Sequence, residues 1–404
     1  MILPASLPPW RDISEPFPQD LHPPPFPHMR ILLLGDASNY HRTLASGLRS
    51  LGQEVVVASW GGSWMQTERD IDITRSTRLP AKLAGMEYYL RMLRLTAPGG
   101  RLTGFDVVSI HNPVFLPLRP RRVREIFDRV SAQNGAVFLT ALSTDTPYVE
   151  MCLDPDGPLR YSEYMHHGRP APFYLQQPQN AREWLSPELS EHCQYIYSHI
   201  RGAVSALYEY HLALSRRLPA EKIAYGGIPI DLSLASQVDI PENPEKIRLF
   251  LGRHKGRLAS KGTDRLEQAA RIALERHPSR GELVIVENRP FREYLSLLQS
   301  AHVVIDQAYS YTPATNALLA MANGQCAVSG AEPEYYDFIG EAANRPIFNS
   351  PLEVDAMADL FSSILTSPPG FLRDTGLSCR RFVEAHNAAP IVASRFLSFW
   401  RSHL

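Results

Sequence analysis

Residues 29–59, MRILLLGDASNYHRTLASGLRSLGQEVVVAS, hold the segment that decides the fold. The first part, 30–35, is almost entirely apolar and ends in glycine, which predicts a strand buried on both faces of a parallel sheet. Residues 43–51 place leucines at helical spacing, and Gly52 ends that helix. Residues 53–59 then predict a second strand. The segment is therefore a β-α-β unit.

The same alternation of short apolar strands and amphipathic helices continues along most of the chain. After the first unit, the sequence predicts strands at 106–111 and 135–140 around a helix at 121–133. A polar linker at 232–246 precedes a second alternating block. That block predicts strands at 247–252, 282–286, 302–306 and 325–329, and helices at 264–276, 290–300 and 312–323. Such alternation predicts an α/β fold with two doubly wound, Rossmann-like domains that face each other across a cleft.

These segments also predict the domain boundaries. We expect an N-terminal domain at 29–231, a C-terminal domain at 247–388 and a last helix at 389–404 that packs across both. Residues 1–28 hold nine prolines, which prevent regular helix or sheet. We interpret this segment as a disordered arm, and a polyproline ligand for a partner is the alternative.

The composition argues against several classes of protein. The chain has 404 residues, is 44% hydrophobic and 21% charged, and carries a formal net charge of -1. This balance argues against a general nucleic-acid binder, and no apolar run reaches the roughly 18 residues that span a bilayer. The four cysteines stand far apart, without a metal-binding spacing. We therefore expect a soluble, cytoplasmic protein of a reducing compartment, without a thiolate zinc site or a disulfide framework. We also expect no other metal and no cofactor.

Residues 146–193 interrupt the first domain with an irregular stretch that is rich in Tyr, Pro and His. A loop of this length in a compact domain is usually functional or disordered, and its many aromatic side chains argue against disorder. Two interpretations remain open. One is an insertion that contacts substrate, and the other is a structural flap that packs on itself.

The clearest chemical signal follows the first strand of the second block. Residues 252–264, GRHKGRLASKGTD, contain several permanent cations between a strand end and a helix start. Cations near backbone N–H groups suit a diphosphate, and a solvated basic loop is the alternative. Neither domain's first strand is followed by a Walker or dinucleotide-binding glycine pattern, which argues against an ATPase or a hydride-transfer enzyme.

A second element could complete such a phosphate site. Residues 311–317, YTPATNA, place Thr312 where a helix N-cap is expected. The N–H groups of Thr315 and Asn316 would then point out of the helix start and form the other side of a phosphate cradle. An ordinary capped helix is the alternative.

The second half of the chain resembles the family 4 glycosyltransferases, which have the GT-B fold. The resemblance covers residues 29 to about 385 and is diffuse in the first domain. It rests on short matching motifs: Gly252-Arg253, Lys261-Gly262 at the next helix, Ala320-Met321-Ala322-Asn323-Gly324, Pro333-Glu334 and Ile228-Pro229-Ile230-Asp231.

The resemblance implies a hexosyltransferase that uses a UDP- or GDP-sugar donor and a glycan or lipid-linked acceptor, in cell-surface polysaccharide or glycoconjugate synthesis. It also implies retention at the anomeric carbon and no metal requirement. In that family, Arg253 and Lys261 would neutralise the diphosphate of the donor. The two carboxylates of the family's Glu-x7-Glu motif are replaced here by Tyr311 and Leu319, and its Thr-x-His is absent from 140–145.

Other polar residues are candidates for the missing roles. We expect Asp145, Asn316 and Glu334 to supply replacement contacts, with Tyr311 at the position of the first carboxylate. Helix caps or surface positions are the alternative for these residues. Asp145 is a candidate catalytic group, and so is His111, which ends a predicted strand where it could act as a base. A structural histidine is the alternative.

The turn after the first strand is the predicted acceptor side. Gly35, Asp36, Asn39 and His41 lie at the carboxyl end of that strand. Doubly wound sheets bind their ligands at the carboxyl ends of their strands. In the transferases that the chain resembles, this edge of the first domain holds the acceptor and the reaction centre, and the resemblance implies that these four residues face both.

The first domain carries a local excess of basic charge. Residues 75–129 hold 11 Lys or Arg against 4 Asp or Glu. Within them, 82–95 mixes apolar and basic residues at helical spacing, which is typical of helices that lie on an anionic membrane. We therefore consider a peripheral contact with the inner face of a membrane. An ordinary amphipathic helix packed on its own sheet is the alternative.

Two rival functions remain open beside the transferase. The missing carboxylates favour an inactive relative that serves as a binding or scaffold subunit of a glycan-assembly complex, whereas the retained Arg253 and Lys261 favour an enzyme. The second rival is another GT-B activity, such as nucleotide-sugar epimerisation.

Overall fold

The computed structural model describes residues 27–61, 68–287 and 289–404. Within these ranges the chain forms two domains, each built on a parallel β-sheet with helices on both faces, which confirms the predicted fold class. The predicted proline-rich arm at 1–28 lies outside the described residues, apart from its last two positions. No helix in the described ranges is long and apolar enough to cross a membrane.

The N-terminal domain follows the predicted alternation of strands and helices. Its strands are β1 (Arg30–Leu34), β2 (Glu54–Ser59), β3 (Ile71–Asp72), β4 (Val107–Ile110), β5 (Ala136–Ala141), β6 (Met165–His166), β7 (Arg169–Pro170), β8 (Ala203–Ser205) and β9 (Ile223–Tyr225). Its helices are α1 (Tyr40–Ser50), α2 (Ala81–Leu95), α3 (Pro120–Gln133), α4 (Thr146–Leu153), α5 (Pro172–Gln176), α6 (Pro178–Trp184), α7 (Pro187–His199) and α8 (Tyr208–Ser215).

The main sheet of this domain has the strand order β3-β2-β1-β4-β5-β8-β9 and is parallel throughout, whereas β6 and β7 form a separate antiparallel hairpin. β1 lies in the interior of the sheet, so that Leu32 is paired with Val56 on one side and with Val108 on the other. The leucines and isoleucine of β1 are fully buried because helices cover both faces of the sheet.

The C-terminal domain repeats the design. Its strands are β10 (Ile247–Arg253), β11 (Gly281–Glu287), β12 (Val303–Ile305), β13 (Cys326–Ser329) and β14 (Phe348–Asn349), in the parallel order β11-β10-β12-β13-β14. Its helices are α9 (Leu258–Lys261), α10 (Thr263–Arg276), α11 (Phe291–Gln299), α12 (Thr315–Ala322), α13 (Pro333–Phe338), α14 (Val354–Leu365) and α15 (Phe371–His386), and the chain ends in α16 (Ala389–Arg401).

An apolar seam joins the two domains. α16 packs on α1, and its buried Phe396 and Trp400 belong to one cluster that contains side chains of both domains. Gly47 of α1 permits this close approach, since a Cβ there would lie 2.2 Å from the Ala389 carbonyl oxygen. Where the chain crosses between the domains, Ile230 N donates to Asn387 O at 2.7 Å. The two sheets are therefore fixed by packing as well as by a backbone hydrogen bond.

The predicted insertion has a small core of its own and also contacts the C-terminal domain. Tyr148, Tyr164 and Phe173 form this core, and Ala259 of α9 packs against it. The 146–193 segment therefore combines the two interpretations. It packs on itself, and it lies against the domain in which the sequence predicts the donor site.

Truncation of Phe396 to alanine is expected to lower the free energy of unfolding by about 3–5 kcal/mol, because the ring is fully buried in the seam. Ile391→Ala, on the exposed side of the same helix, is the matched control and should change it by less than about 0.5 kcal/mol. Urea denaturation measures both variants. Equal, small effects would contradict the packing of α16.

Candidate functional site

The carboxyl ends of β1 and β4 bring together most of the predicted acceptor side. Gly35 has a φ of +80°, and a Cβ there would lie 2.1 Å from His111 Nδ1, so only glycine lets this ring cover the turn. His41 Nδ1 lies 2.6 Å from the Gly35 carbonyl oxygen, which places the proton of that ring on Nδ1. Asp36 Oδ1 accepts a 2.9 Å hydrogen bond from His41 N. Gly35, Asp36, His41 and His111, together with Asn39 in the same turn, therefore form one acceptor-side cluster.

Four side-chain atoms of this acceptor-side cluster are buried without a hydrogen-bond partner: Asp36 Oδ2, Asn39 Oδ1, His41 Nε2 and His111 Nδ1. Leaving a buried polar atom unbonded costs about 1–3 kcal/mol, and native proteins therefore satisfy most such atoms. These unsatisfied atoms lie at the edge of a parallel sheet where doubly wound domains bind their ligands.

Burial sets the charge of the acceptor-side cluster. It raises the pKa of Asp36 to about 7 and lowers the pKa of His41 to about 4. Burial also lowers the pKa of His111 to about 3, and repulsion from His41 adds to this effect. Near neutral pH both imidazoles are therefore uncharged, and Asp36 is divided between its acid and carboxylate forms. Such groups can orient a hydroxyl by hydrogen bonds rather than by fixed charge.

Asp145, the other predicted catalytic group, is engaged by its own domain. Its Oδ1 accepts a 3.1 Å hydrogen bond from Tyr148 N and caps α4, and its Oδ2 accepts a hydrogen bond from the Tyr197 hydroxyl. Burial raises the pKa of Asp145 to about 6. Since both oxygens are used, the geometry favours the helix-cap alternative over a catalytic role.

Both cations that are predicted to hold a diphosphate are paired with carboxylates of the C-terminal domain. Arg253 pairs with Glu267 of α10 and with Glu287, whose Oε2 lies 2.9 Å from Arg253 Nε. Lys261 Nζ lies 3.0 Å from Oδ1 of the buried Asp306. The pair of Arg253 and Glu287 could have been found from the sequence, because these residues end two adjacent parallel strands and therefore lie side by side.

The predicted N-cap at Thr312 is wrong. α12 begins at Thr315 with Ala314 as its N-cap, so Thr315 and Asn316 lie in its first turn. The Thr312 hydroxyl instead donates to Glu209 Oε2 of α8 at 2.6 Å. As an N-cap this hydroxyl would accept a hydrogen bond from a backbone N–H of the helix start, whereas here it donates a charge-assisted hydrogen bond to a carboxylate of the other domain.

The insertion covers two of the predicted donor contacts. Arg160 pairs with Glu334 and with Glu332, and its backbone N–H donates to the Tyr311 hydroxyl at 2.7 Å. The Tyr161 ring stacks on Tyr311 with 4.8 Å between centroids. Arg160 is not predictable from the sequence, because a contact between residues so far apart in the chain leaves no local pattern. Tyr311 and Glu334 therefore already have protein partners in this arrangement.

A cavity of about 390 Å³ lies beside these contacts, between the insertion and the C-terminal domain. Its lining mixes aromatic, carboxylate, amide and guanidinium groups, which suits a ligand with many hydroxyl groups better than an apolar one. The residues that carry these groups include Arg160, Tyr161, His167, Glu332 and Asn349.

Potential metal ligands do not cluster in the described ranges: no three His, Cys, Asp or Glu side chains come together there as a metal site would require. In the insertion, His166 packs on the Tyr309 ring at 4.4 Å between centroids. Burial lowers the pKa of His166 to about 4, so its neutral form packs in this aromatic contact.

Several solved structures share this fold. A sucrose-phosphate synthase from Thermosynechococcus elongatus has a TM-score of 0.60 at 13% identity, over 92% of this chain and 98% of that one. HepE from Anabaena, solved with UDP and glucose, has a TM-score of 0.55 at 10% identity, over 93% of this chain and 100% of that one. A putative UDP-N-acetylglucosamine 2-epimerase from Listeria monocytogenes has a TM-score of 0.51 at 11% identity, over 93% and 96%.

These similarities establish the fold, two Rossmann-like domains in the GT-B arrangement. No protein-family model matches the sequence, and no curated protein sequence matches it. The resemblance to family 4 therefore stays a prediction. Because the neighbours include a synthase and an epimerase, the fold alone does not choose among the activities.

The shifted pKa values in the acceptor-side cluster predict that histidine variants and an Asp36 variant change the pH dependence of stability in opposite directions. Between about pH 4 and 6.5, His41 and His111 are protonated in the unfolded chain but neutral in the folded chain. Because the unfolded state binds more protons in this range, these two residues make the free energy of unfolding rise with pH. Folded Asp36 keeps a proton up to about pH 7, which opposes that rise.

The measured quantity is the slope of the unfolding free energy against pH. His41→Asn or His111→Asn should make this slope less positive by about 1 kcal/mol per pH unit, and Asp36→Asn should make it more positive by a similar amount. Urea denaturation between pH 4.5 and 6.5 measures the slopes. If all three variants share the wild-type slope, these groups titrate normally and are not buried as described.

Proposed function

We propose that this protein transfers a sugar from a nucleotide-sugar donor to a hydroxyl of a glycan or a lipid-linked acceptor. The main support is the acceptor-side cluster, where buried atoms without partners lie at the carboxyl edge of a sheet in a GT-B cleft. The similar fold of a neighbour solved with UDP and glucose supports a UDP-sugar as donor, and a GDP-sugar is the other candidate. From the sequence resemblance we extend the proposal to retention of anomeric configuration, a metal-independent reaction and a role in cell-surface polysaccharide or glycoconjugate synthesis.

On the acceptor side, a substrate hydroxyl would form the hydrogen bonds that the cluster lacks. The single proton of that hydroxyl would go to His41 Nε2 or to His111 Nδ1, the latter provided that His111 carries its own proton on Nε2. In its acid form Asp36 would donate from Oδ2 to the hydroxyl oxygen. Held in this way, the hydroxyl would be oriented toward the cleft, and orientation supplies a large part of the rate in such reactions. Asp145 takes no part in proton transfer in this scheme, because both of its oxygens accept hydrogen bonds within its own domain.

On the donor side, Arg253 and Lys261 would stabilise charge on the departing diphosphate, assisted by the first turn of α12 at Thr315 and Asn316. Both cations would have to exchange a resident carboxylate for phosphate oxygens. Tyr311 and Glu334 would reach the sugar after Arg160 moves away. Donor binding in this proposal therefore includes a rearrangement of side chains.

A second candidate function is an inactive relative that binds a partner in glycan assembly. The observation in its favour is that Arg253, Lys261 and Glu334 all have protein partners within the cleft. Ion pairs that satisfy every charged group would make the cleft a structural interface instead of a donor site.

Thermal unfolding in the presence of UDP, GDP, ADP and their common sugars separates these functions. A ligand at about 100 times its dissociation constant adds about 2.7 kcal/mol of stability. We expect a shift with one nucleotide class for the wild type and its loss in Arg253→Ala/Lys261→Ala. Arg271→Ala is the matched control, because Arg271 pairs with the same Glu267 from the exposed face of α10 and should keep the shift.

The absence of any shift for the wild type would favour the inactive relative. A shift that survives in the double variant would place the nucleotide elsewhere. Conversion of a free nucleotide sugar without acceptor, followed by mass spectrometry and NMR, would instead support the epimerase.

For a lipid-linked acceptor, we also propose that α2 docks on an anionic membrane. Leu83, Met86 and Leu90 lie along one side of α2 and are 59%, 45% and 56% exposed, whereas the opposite side packs on the sheet through Ala84, Tyr88 and Met92. The exposed cations Arg78, Lys82 and Arg94 flank these apolar residues. An apolar stripe with basic flanks is complementary to anionic headgroups over acyl chains.

Flotation with vesicles of anionic phosphatidylglycerol tests this docking. The wild type should bind at low salt and dissociate at high salt, and Leu83→Glu/Leu90→Glu should reduce the bound fraction at least about tenfold. Leu175→Glu, at an equally exposed leucine of the insertion, should bind like the wild type. Lack of wild-type binding at low salt would remove the membrane proposal.

A further inference from the structure

A buried carboxylate of the N-terminal domain, that of Glu209, contacts the C-terminal domain without a cation to neutralise it. Glu209, in the first turn of α8, is 4% exposed, and none of the ion pairs in the described ranges includes it. A carboxylate in such a place is costly unless hydrogen-bond donors replace its hydration. The donors that surround Glu209 therefore show what kind of group their site accepts.

All of these donors come from the anion loop, residues 310–312 of the C-terminal domain. Glu209 Oε1 lies 2.5 Å from Ser310 Oγ, 2.5 Å from Tyr311 N and 3.3 Å from Thr312 N. Its Oε2 accepts from the Thr312 hydroxyl at 2.6 Å. Two backbone N–H groups and two hydroxyls that converge on one anion form a site selective for negative charge and oxygen acceptors.

The anion loop lies where a doubly wound domain is expected to bind its ligand. It follows β12 at the carboxyl edge of the C-terminal sheet, where ligands of doubly wound domains bind. The backbone N–H of the neighbouring Ala308 donates to the Lys261 carbonyl oxygen at 2.9 Å, so the loop is attached to the segment that carries this cation. A phosphate offers several oxygens with negative charge and can use the same donors as a carboxylate.

We propose that the anion loop is a phosphate-binding site and that Glu209 is its tethered occupant, which a phosphorylated ligand must displace. The identity of the displacing group rests on the proposed function, because that group would be the diphosphate of the donor. Glu209 and the loop belong to different domains, so displacement breaks a contact between the domains. The site therefore couples ligand binding to the opening of the cleft.

This arrangement reduces the apparent affinity for a competing anion. A ligand that binds only the fraction of molecules with a free loop has its affinity lowered by that fraction. If Glu209 occupies the loop in nine molecules of ten, its removal raises the affinity about tenfold. Inorganic pyrophosphate is a suitable probe because it needs no nucleotide pocket.

Titration calorimetry with pyrophosphate tests the proposal. Glu209→Ala should bind it at least about tenfold more tightly than the wild type, and Glu209→Gln, which keeps the volume but loses the charge, should also gain affinity. Adding Ser310→Ala/Thr312→Val to Glu209→Ala should remove at least about tenfold of the affinity, since two charge-assisted hydrogen bonds are lost. Glu221→Gln, at an exposed carboxylate of the same domain, is the control and should match the wild type.

Hydrogen exchange of the Tyr311 and Thr312 amides gives an independent readout. Both should exchange faster in Glu209→Ala and regain protection with pyrophosphate. Equal affinities of the wild type and both Glu209 variants would overturn the proposal, and so would a gain that persists without Ser310 and Thr312. Pyrophosphate binding without any nucleotide-sugar binding would refute only the donor part of the proposed function.

Discussion

The relative position of the two sheets depends on the apolar seam around α16. Phe396 and Trp400 are buried among side chains of both domains, and the crossing of the chain beside Ile230 adds backbone hydrogen bonds to that packing. Because this seam fixes the domains, the carboxyl edges of the two sheets face one another. The acceptor-side cluster lies at the carboxyl edge of the N-terminal sheet, and the anion loop follows a strand at the carboxyl edge of the C-terminal sheet.

The cleft differs from a simple open site, because its charged groups are already paired. Arg253 and Lys261 contact carboxylates of their own domain, while Arg160 and Glu209 form contacts between the domains. A ligand must therefore replace interactions instead of filling an unused surface. This explains how a transferase and an inactive relative can both be compatible with the same contacts, since they differ only in whether a ligand can exchange these partners.

The fold could be predicted from the sequence because its signals are local. The apolar run of β1, the leucine spacing of α1 and their repetition along the chain need no knowledge of distant residues. The grouping of residues after β1 was also predictable, since a parallel strand presents its carboxyl end to the ligand edge, while the acceptor role of these residues stays a prediction. Sequence spacing therefore located Asp36 and His41, although it gave no indication of their unpartnered atoms.

The remaining features depend on contacts between distant residues. Thr312 has the sequence of an N-cap, but Glu209 from another domain withdraws it from the helix. Asp145 has the sequence of a strand-end catalytic group, but its Oδ2 accepts from the distant Tyr197. Arg160 showed no motif at all and still covers Tyr311 and Glu334. In each case a long-range polar contact outweighs the local pattern, and single-sequence reasoning has no access to such contacts.

A crystal structure of the protein with the nucleotide sugar that stabilises it most would test the account directly. We expect a diphosphate within hydrogen-bond distance of the anion loop and of Lys261, with Glu209 displaced and the sugar directed toward the acceptor-side cluster. A structure in which Glu209 still occupies the anion loop while the nucleotide binds outside the cleft would contradict it.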